Sequence, residues 1–461
     1  MKKNQSPWLY QLRKERPTEF LSKDVRADVA IIGAGIAGIA TAFFTLRDTE
    51  KSVIMVERHK LAHGATGHNA GQVVSYFERG LKSLTEEFGL MMAAEGQKNI
   101  IDAWLLLDEM YLQAKLTIPF SRFMGHAGLV SFEQVLLHLT NNALKRQSGL
   151  ATEEILISDV ADFLDDIPKE FVNLYALAPQ EKILKLLETK DTSYICVLSS
   201  QKGCINSALF CEEILLYLLE TYKGRFTLYE HTPITKLVLH SDMAYLDAGT
   251  HFVESDRVVL CTNGFENVTI LNETGLDINT KFHHLVDGNV GYMSGYLEEM
   301  NKPPIAISYL TNPEAETSDP YFYLTRREYE YEDEKRYNLI SIGGPEMLVN
   351  DSRAYTHESD FPSEKTKEID EFLKKTYTGN IKVPYVFTWH GLMGYTKNGV
   401  RLIGVEPKNP VLLYNLGCNG VGILPSLYGG KKISEVLSGL KHSPSIWDVP
   451  KEYDQTKHHE I

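Results

Sequence analysis

Two stretches of the chain carry residues that do chemistry only in a particular setting. Gly33-Ala34-Gly35-Ile36-Ala37-Gly38 is a GxGxxG run, and HGATGHNAGQV, residues 63–73, sets His68, Asn69 and Gln72 among small residues. The GxGxxG run follows the apolar stretch VAIIG and opens a helix-like stretch, IAGIATAFFTLR. A second strand-like run, SVIMVE, ends in Glu57 about 20 residues on. Strand, glycine turn, helix and a following acid are the full context of a dinucleotide-binding unit. Gly33 permits the tight turn, Gly35 lets backbone approach a pyrophosphate, and Gly38 lets helix and strand pack closely. The helix N-terminus, with Ile36 and Ala37 in its first turn, faces the phosphates, and Glu57 accepts from ribose hydroxyls. These positions alone do not separate a nicotinamide dinucleotide from a flavin one.

Two remote pieces favour the flavin. DRVVLCTNG, residues 256–264, runs a strand into the polar turn Thr262-Asn263-Gly264. NLGCNGVGILPSLYGG, residues 415–430, starts a helix with the successive amides of Gly420, Val421 and Gly422, followed by Ile423. Such a helix start points N–H groups at a flavin's pyrimidine carbonyl, where the reduced ring holds negative charge.

The elements that must position these residues follow from pattern. Residues 1–25 read as an extension, and EEFGLMMAAEGQKNIIDAWLLLDEMYLQAK reads as one or two amphipathic helices. ALFCEEILLYLLETY is a helix; FTLYEH, ITKLVLH, MAYLDAG, HFVES and DRVVL are strands. Residues 130–195 form a peripheral lobe, and 286–350 form antiparallel strands with a charged hairpin tip, EYEYEDEK. At 461 residues the chain is long enough for two lobes. Its 43% hydrophobic and 23% charged composition is that of an ordinary soluble protein, and the net charge of −14 argues against a nucleic-acid partner. Five cysteines without a CxxC pair fit a reducing, cytoplasmic setting. The opening MKKNQSPWLYQLRKERPTEF lacks the apolar segment of a secretory signal. The uncharged run between Asp28 and Arg47 is read as strand–turn–helix rather than a transmembrane segment.

Taken in order, GAGIAG with Glu57, GATGHNAGQ, KGCIN…VVLCTNG and TWHGLMGYTKNGVRLIG…GCNGVGILPS resemble the FAD-dependent amine and amino-acid oxidases of the D-amino-acid oxidase-like family. That family includes glycine oxidase, sarcosine oxidase and dimethylglycine dehydrogenase; the gamma-glutamylputrescine oxidase-like members are similar in the loop. The resemblance implies an α/β fold: a Rossmann-type FAD-binding domain, discontinuous over 26–120, 195–275 and 385–461, and an antiparallel-sheet α+β substrate domain over 121–194 and 276–384. It implies hydride transfer from a C–H beside nitrogen to the flavin, with oxygen taking the electrons to hydrogen peroxide. An FAD dehydrogenase feeding a carrier or quinone, and a flavin-binding interaction protein without turnover, are the alternatives. The implied substrate is a small amine or amino-acid-type molecule. By the same resemblance Arg58, Thr66, Gly67, His68, Asn69, Gly71, Gln72 and Ile234 join the motif residues around FAD, and His68 stands where one branch bonds the flavin covalently.

The resemblance also shows departures. Met393 stands where α-amino-acid oxidising members carry a carboxylate-binding arginine, and Arg401 where many have proline. Arg326 on YFYLTRR reads as a hairpin-surface residue. Tyr321 and Tyr323 share a strand face and could wall a substrate, and His390 and Met393 are further substrate-site candidates. His59 and His63 have a metal-compatible spacing without a third ligand, so no metal is expected. His283 and His284 read as a diverging pair on a strand.

Overall fold

Val25–Ile32 is the buried strand its composition demands: Val29, Ala30, Ile31 and Ile32 are all buried at the centre of a nine-stranded sheet. The computed structural model describes residues 4–13, 16–312, 321–332, 335–379 and 385–452. Val25–Ile32 pairs in parallel with Val53–Val56 on one side and Phe252–Leu260 on the other. Phe226–Tyr229 and Leu412–Leu416 extend this parallel stack outward. Strands covered on both faces read as continuous apolar runs, which is why VAII, VIMV and VVL stood out. Helix Ile36–Asp48 packs on this sheet beside helix Ile423–Leu437. Gly430 allows that approach, since a Cβ there would stand 2.6 Å from the Ala40 backbone.

HFVES and DRVVL, expected as two strands, are one, Phe252–Leu260. Its first half pairs antiparallel with Ala244–Asp247 and its second half parallel with Leu412–Leu416, so one strand serves two environments. The helical region before Lys115 is two helices, Leu81–Phe88 and Leu90–Ala114, broken at Gly89 with φ +78°. His283 ends a short helix, Asn279–His283, rather than lying on a strand, and its Nε2 faces Val268 O at 2.9 Å.

The second sheet has ten strands. Phe387–Thr396 forms one edge, followed by Val286–Glu298, Lys335–Val349, Phe322–Tyr331, Ile305–Tyr309, Phe120–Leu129 and Cys196–Ile205. The antiparallel hairpin expected over 286–350 is present; Asp333 and Glu334 at its charged tip lie outside the described residues. Residues 196–205 and 387–396, grouped from sequence with the cofactor segments, hydrogen-bond within this second sheet. Gln72–Val74 also joins it, pairing with Cys196–Ile205. The loop 57–71 is therefore the crossing from the first sheet to the second. Among the described residues no helix is long and apolar enough to cross a membrane.

Candidate active site

The glycines of the first turn are fixed by contact. Gly33 has φ +104°, and a Cβ there would stand 2.7 Å from Cys261 O; one on Gly38 would stand 1.9 Å from Gly33 O. Helix Ile36–Asp48 begins on Gly35 with no side chain of its own closing the turn and no acid in its first turn. Thr66, from the crossing loop, does part of that work: its Oγ1 accepts from Ile36 N at 3.0 Å. Glu57 is held by Ala34 N and His59 N, each at 2.9 Å, and burial pushes its carboxyl above the ordinary value against those two bonds. Arg58 Nε lies 3.8 Å from Glu266 Oε1, and Ile234 is buried in the core under the first sheet.

The other expected cofactor segments converge on the same line. Asn263, at φ +61°, accepts through Oδ1 from Cys418 N at 2.9 Å, and a Cβ on Gly394 would meet Asn263 O at 2.6 Å. Asn419 N donates to Gly394 O, and Asn419 Oδ1 accepts from Thr396 N, both at 2.8 Å. The turn Gly417–Gly422 is thus stitched to the edge strand Phe387–Thr396, whose outward backbone groups would otherwise be unpaired. Arg401 braces it from below: buried, it donates to Asn415 Oδ1, Asn415 O and Gly417 O at 2.6, 2.9 and 3.2 Å. That answers why an arginine stands at this position; it holds backbone, not substrate. Gly422 then opens helix Ile423–Leu437.

Alternation along Phe387–Thr396 puts Trp389, Gly391, Met393 and Tyr395 on one face, toward the crossing loop. A Cβ on Gly391 would touch His68 O at 2.7 Å, and one on Gly420 would stand 3.1 Å from Glu78 Cγ and 3.2 Å from Tyr395 Oη. His390 is on the opposite face: its Nδ1 bonds Tyr355 Oη at 2.6 Å and its Nε2 faces Ser359 O at 3.0 Å. The structure therefore separates His390 from Met393. Arg326 is not at the hairpin surface either. It is buried and bonded to both Glu188 oxygens at 2.7 Å, so it is committed to a structural pair.

Sequence reasoning missed the groups that give this face its charge. Glu78 follows Gln72–Val74 by four residues and accepts from Tyr321 Oη at 3.1 and 3.2 Å. Tyr321 and Tyr323 pack edge to face with centroids 6.0 Å apart. Glu346 on Lys335–Val349 accepts from Asn289 Nδ2, and Lys202 Nζ donates to Ser308 Oγ at 3.2 Å and lies 5.9 Å from the Tyr76 ring. Burial pushes Glu78 up to about 7, against the Tyr321 hydrogen bond and reinforced by the Glu346 charge. Burial likewise pushes Glu346 up to about 7 and Lys202 down to about 8. Nothing in SYFERG flags Glu78, because a lone acid before an arginine reads as an ordinary loop charge. Only the fold brings it, half-buried, against Tyr321.

His68 is buried in the crossing loop. Its Nδ1 lies 2.9 Å from Gly64 O, and its ring stacks on His357 with centroids 4.3 Å apart and an interplanar angle of 15°. Burial holds it down to about 4, so the imidazole is neutral at pH 7. Asn69 Nδ2 donates to Thr66 O and Ser207 Oγ, each at 2.9 Å, and Gln72 Nε2 donates to Thr325 Oγ1 at 2.7 Å. His63 Nδ1 meets Leu61 O at 2.9 Å, and the described residues hold no cluster of three metal-binding side chains.

Residues 28–436 match the family described as FAD dependent oxidoreductase. The chain belongs to that family. Among solved structures it is similar to glycine oxidase from Geobacillus kaustophilus, with a TM-score of 0.67 at 13% identity over 93% of this chain and 100% of that one. L-proline dehydrogenase from P. horikoshii gives 0.63 at 12% identity, over 92% and 97% of the two chains. NikD, an unusual amino acid oxidase essential for nikkomycin biosynthesis, gives 0.64 at 12% over 94% and 100%. At these identities the likeness is one of fold. Gamma-glutamylputrescine oxidoreductase of Escherichia coli is 27% identical over 77 residues, 17% of this chain and 18% of that protein. Probable oxidoreductase OrdL of Haemophilus influenzae is 35% identical over 69 residues, 15% and 16% of the two. Each match thus spans less than a fifth of the relative's length.

As a member of this family the protein uses FAD. The residues present fit it. Thr262 Oγ1 is buried beside Gly33 with no hydrogen-bond partner among the described residues, and the first turn of helix Ile36–Asp48 offers backbone N–H groups.

Proposed function

We propose that this FAD-dependent oxidoreductase oxidises the C–N bond of a small amine or amino-acid-type substrate, the substrate lying between the Gly391–Met393–Tyr395 face and the Gly420 turn. The observation that carries this reading is the two half-buried carboxyls Glu78 and Glu346, set among Tyr321, Tyr323 and Tyr395, at a face where Arg326 and Arg401 are both committed elsewhere. A face of that charge suits a cationic amine, while Lys202 is a cation near Glu78 that could meet a substrate carboxylate. The cofactor-binding residues of this reading are the expected ones: Gly33, Gly35, Ile36, Ala37, Gly38, Glu57, Arg58, Thr66, Gly67, His68, Asn69, Gly71, Gln72, Ile234, Thr262, Asn263, Gly264, Gly420, Val421, Gly422 and Ile423. The FAD-binding part of this reading draws on 26–120, 195–275 and 385–452, less the strands Cys196–Ile205 and Phe387–Thr396, which belong to the second sheet.

FAD bound there supplies the hydride acceptor, and oxygen takes the electron pair onward to hydrogen peroxide. The chain's own task is to prepare the amine. An alkylammonium has a pKa near that of lysine, about 10, and no lone pair to assist loss of hydride. Glu78, ionised above pH 7, takes the ammonium proton onto its carboxylate and leaves the amine neutral. Tyr321 Oη, bonded to that carboxylate, fixes its direction. The tyrosine walls and Met393 exclude water and orient the reacting carbon. The resulting substrate iminium is hydrolysed by water.

The test is a visible spectrum of the purified protein followed by a panel of amines and amino acids, assayed for peroxide with an artificial electron acceptor in parallel. Flavin absorbance with amine-dependent peroxide supports the proposal. Turnover with the artificial acceptor alone replaces oxygen by another carrier, and flavin without turnover on any C–N substrate overturns the reading.

A further inference from the structure

The first residues are more than an extension. Pro7–Tyr10 is one helical turn, and Trp8 is completely buried. Its indole Nε1 donates to Asn69 O at 2.6 Å, and Trp389 Nε1, from the edge strand, reaches the same carbonyl at 3.3 Å. The two indoles meet edge to face, at 83° with centroids 6.4 Å apart. Gly71, at φ +68°, presses on the Trp8 ring so closely that a Cβ would stand 2.8 Å from it. Ser6 Oγ donates to Gly67 O, and a Cβ on Gly67 would meet the Leu9 side chain at 2.5 Å. The segment is anchored on its far side too. Asn4 Oδ1 accepts from His390 N at 2.7 Å, Tyr329 Oη donates to Pro7 O at 2.7 Å, Asn206 Nδ2 donates to Trp8 O at 3.2 Å, and the Arg327 guanidinium lies 5.1 Å from the Trp8 ring.

We propose that residues 4–9 are a positioning strap for the crossing loop, with Trp8 and Ser6 fixing the backbone of Gly67–Gly71 against the second sheet so that the loop is shaped for FAD. This rests on the loop lying at the flavin, as proposed above. The loop is poor in apolar side chains and holds its shape through its backbone. Two of its five carbonyls, those of Gly67 and Asn69, are bonded by the strap. Without those bonds part of the loop's order must come from FAD, and affinity falls by that cost. Trp8 and Ser6 are positioning residues, acting through the loop.

The experiment titrates FAD into apoprotein of wild type, Trp8→Phe, Ser6→Ala and Asn69→Ala, reading the dissociation constant, the shape of the bound flavin's long-wavelength band and the apoprotein's melting temperature. Trp8→Phe keeps an aromatic ring and loses the indole donor. We expect its dissociation constant to rise about tenfold, with an altered flavin band and an apoprotein melting within about 2 °C of wild type. Ser6→Ala moves the same way by a smaller factor. Unchanged affinity and spectrum in both variants, with Asn69→Ala weakened, would overturn the strap while leaving the flavin loop in place. Unchanged affinity in Asn69→Ala as well removes the loop reading itself. A melting loss in apoprotein that accounts for the whole affinity loss reduces the strap to ordinary packing. Should Trp8→Phe fail to fold, Ser6→Ala, which deletes one hydroxyl, decides alone.

Discussion

At the residue scale the decisive side chain is Glu78. A carboxyl half-buried against Tyr321 and near Glu346 takes its proton off only near pH 7, while the Lys202 ammonium gives up its proton near pH 8. With a cationic amine, kcat/KM therefore rises as pH passes about 7, and only for a substrate that also carries a carboxylate does it decline above about 8, as Lys202 loses its charge. Glu78→Gln is expected to lower kcat/KM about 100-fold, and steady-state kinetics across pH would show the acid limb flattened. Glu346→Gln should instead move that limb to lower pH, because the Glu346 charge is among the causes raising Glu78. Both carboxyls bind a proton more tightly folded than unfolded. Their stabilising contribution is present below the ordinary carboxyl range and is lost as pH rises through about 7. His68 leads to a different measurement. Its Nδ1 faces Gly64 O and its ring is covered by His357, so we expect acid precipitation to leave a yellow supernatant and a colourless pellet; flavin retained in the pellet would mean a covalent bond.

At the scale of elements, what could be read ahead of the structure divides by the range of the forces involved. The GxGxxG turn, its flanking strands and the turn before Ile423 were legible, because backbone conformation and apolar periodicity leave local marks. Gly33 and Gly38 are glycines for reasons that lie within a few residues or one strand away. HFVES and DRVVL looked like two strands, since polar Ser255 and Asp256 interrupt the apolar pattern. They are one because different partners take each half. Arg326 was misjudged and Glu78 missed for a shared reason: a charge is placed by what the fold sets opposite it, here Glu188 and Tyr321. Thr66, a loop residue among the cofactor candidates, also serves a helix 30 positions away, a bond its sequence position does not show. Thr66→Val should cost about 1 kcal/mol of apoprotein stability by leaving Ile36 N unbonded. Denaturant unfolding of the apoprotein checks this; an unchanged midpoint would show that water or the backbone replaces the hydroxyl.

At the scale of the whole molecule the two sheets share apolar core, Ala30, Ile32 and Leu260 of the first packing in one cluster with Val286, Val290 and Leu392 of the second, and polar links join them at the crossing loop 57–71, the Asn263–Cys418–Gly394 cluster and the N-terminal segment beneath Asn69. The proposed FAD position runs along the line of these polar links. Occupancy of that line therefore couples the sheets, because FAD binds the folded arrangement and not the unfolded chain. At 100-fold excess over its dissociation constant such a ligand adds about 2.7 kcal/mol of stability. Where that stability appears is the sharper question. If FAD only filled the first sheet's glycine turn, hydrogen exchange would slow around Gly33–Gly38 and Glu57 alone. With the cofactor lying across the connections, exchange should slow together in 66–71, in Gly394–Thr396 and in Gly417–Gly422, the last two being one stitched unit. Exchange measured on apo and FAD-loaded protein tests this directly. Protection confined to the first sheet would mean that the second sheet is docked independently of the flavin, and that the face carrying Glu78 and Glu346 is shaped without it.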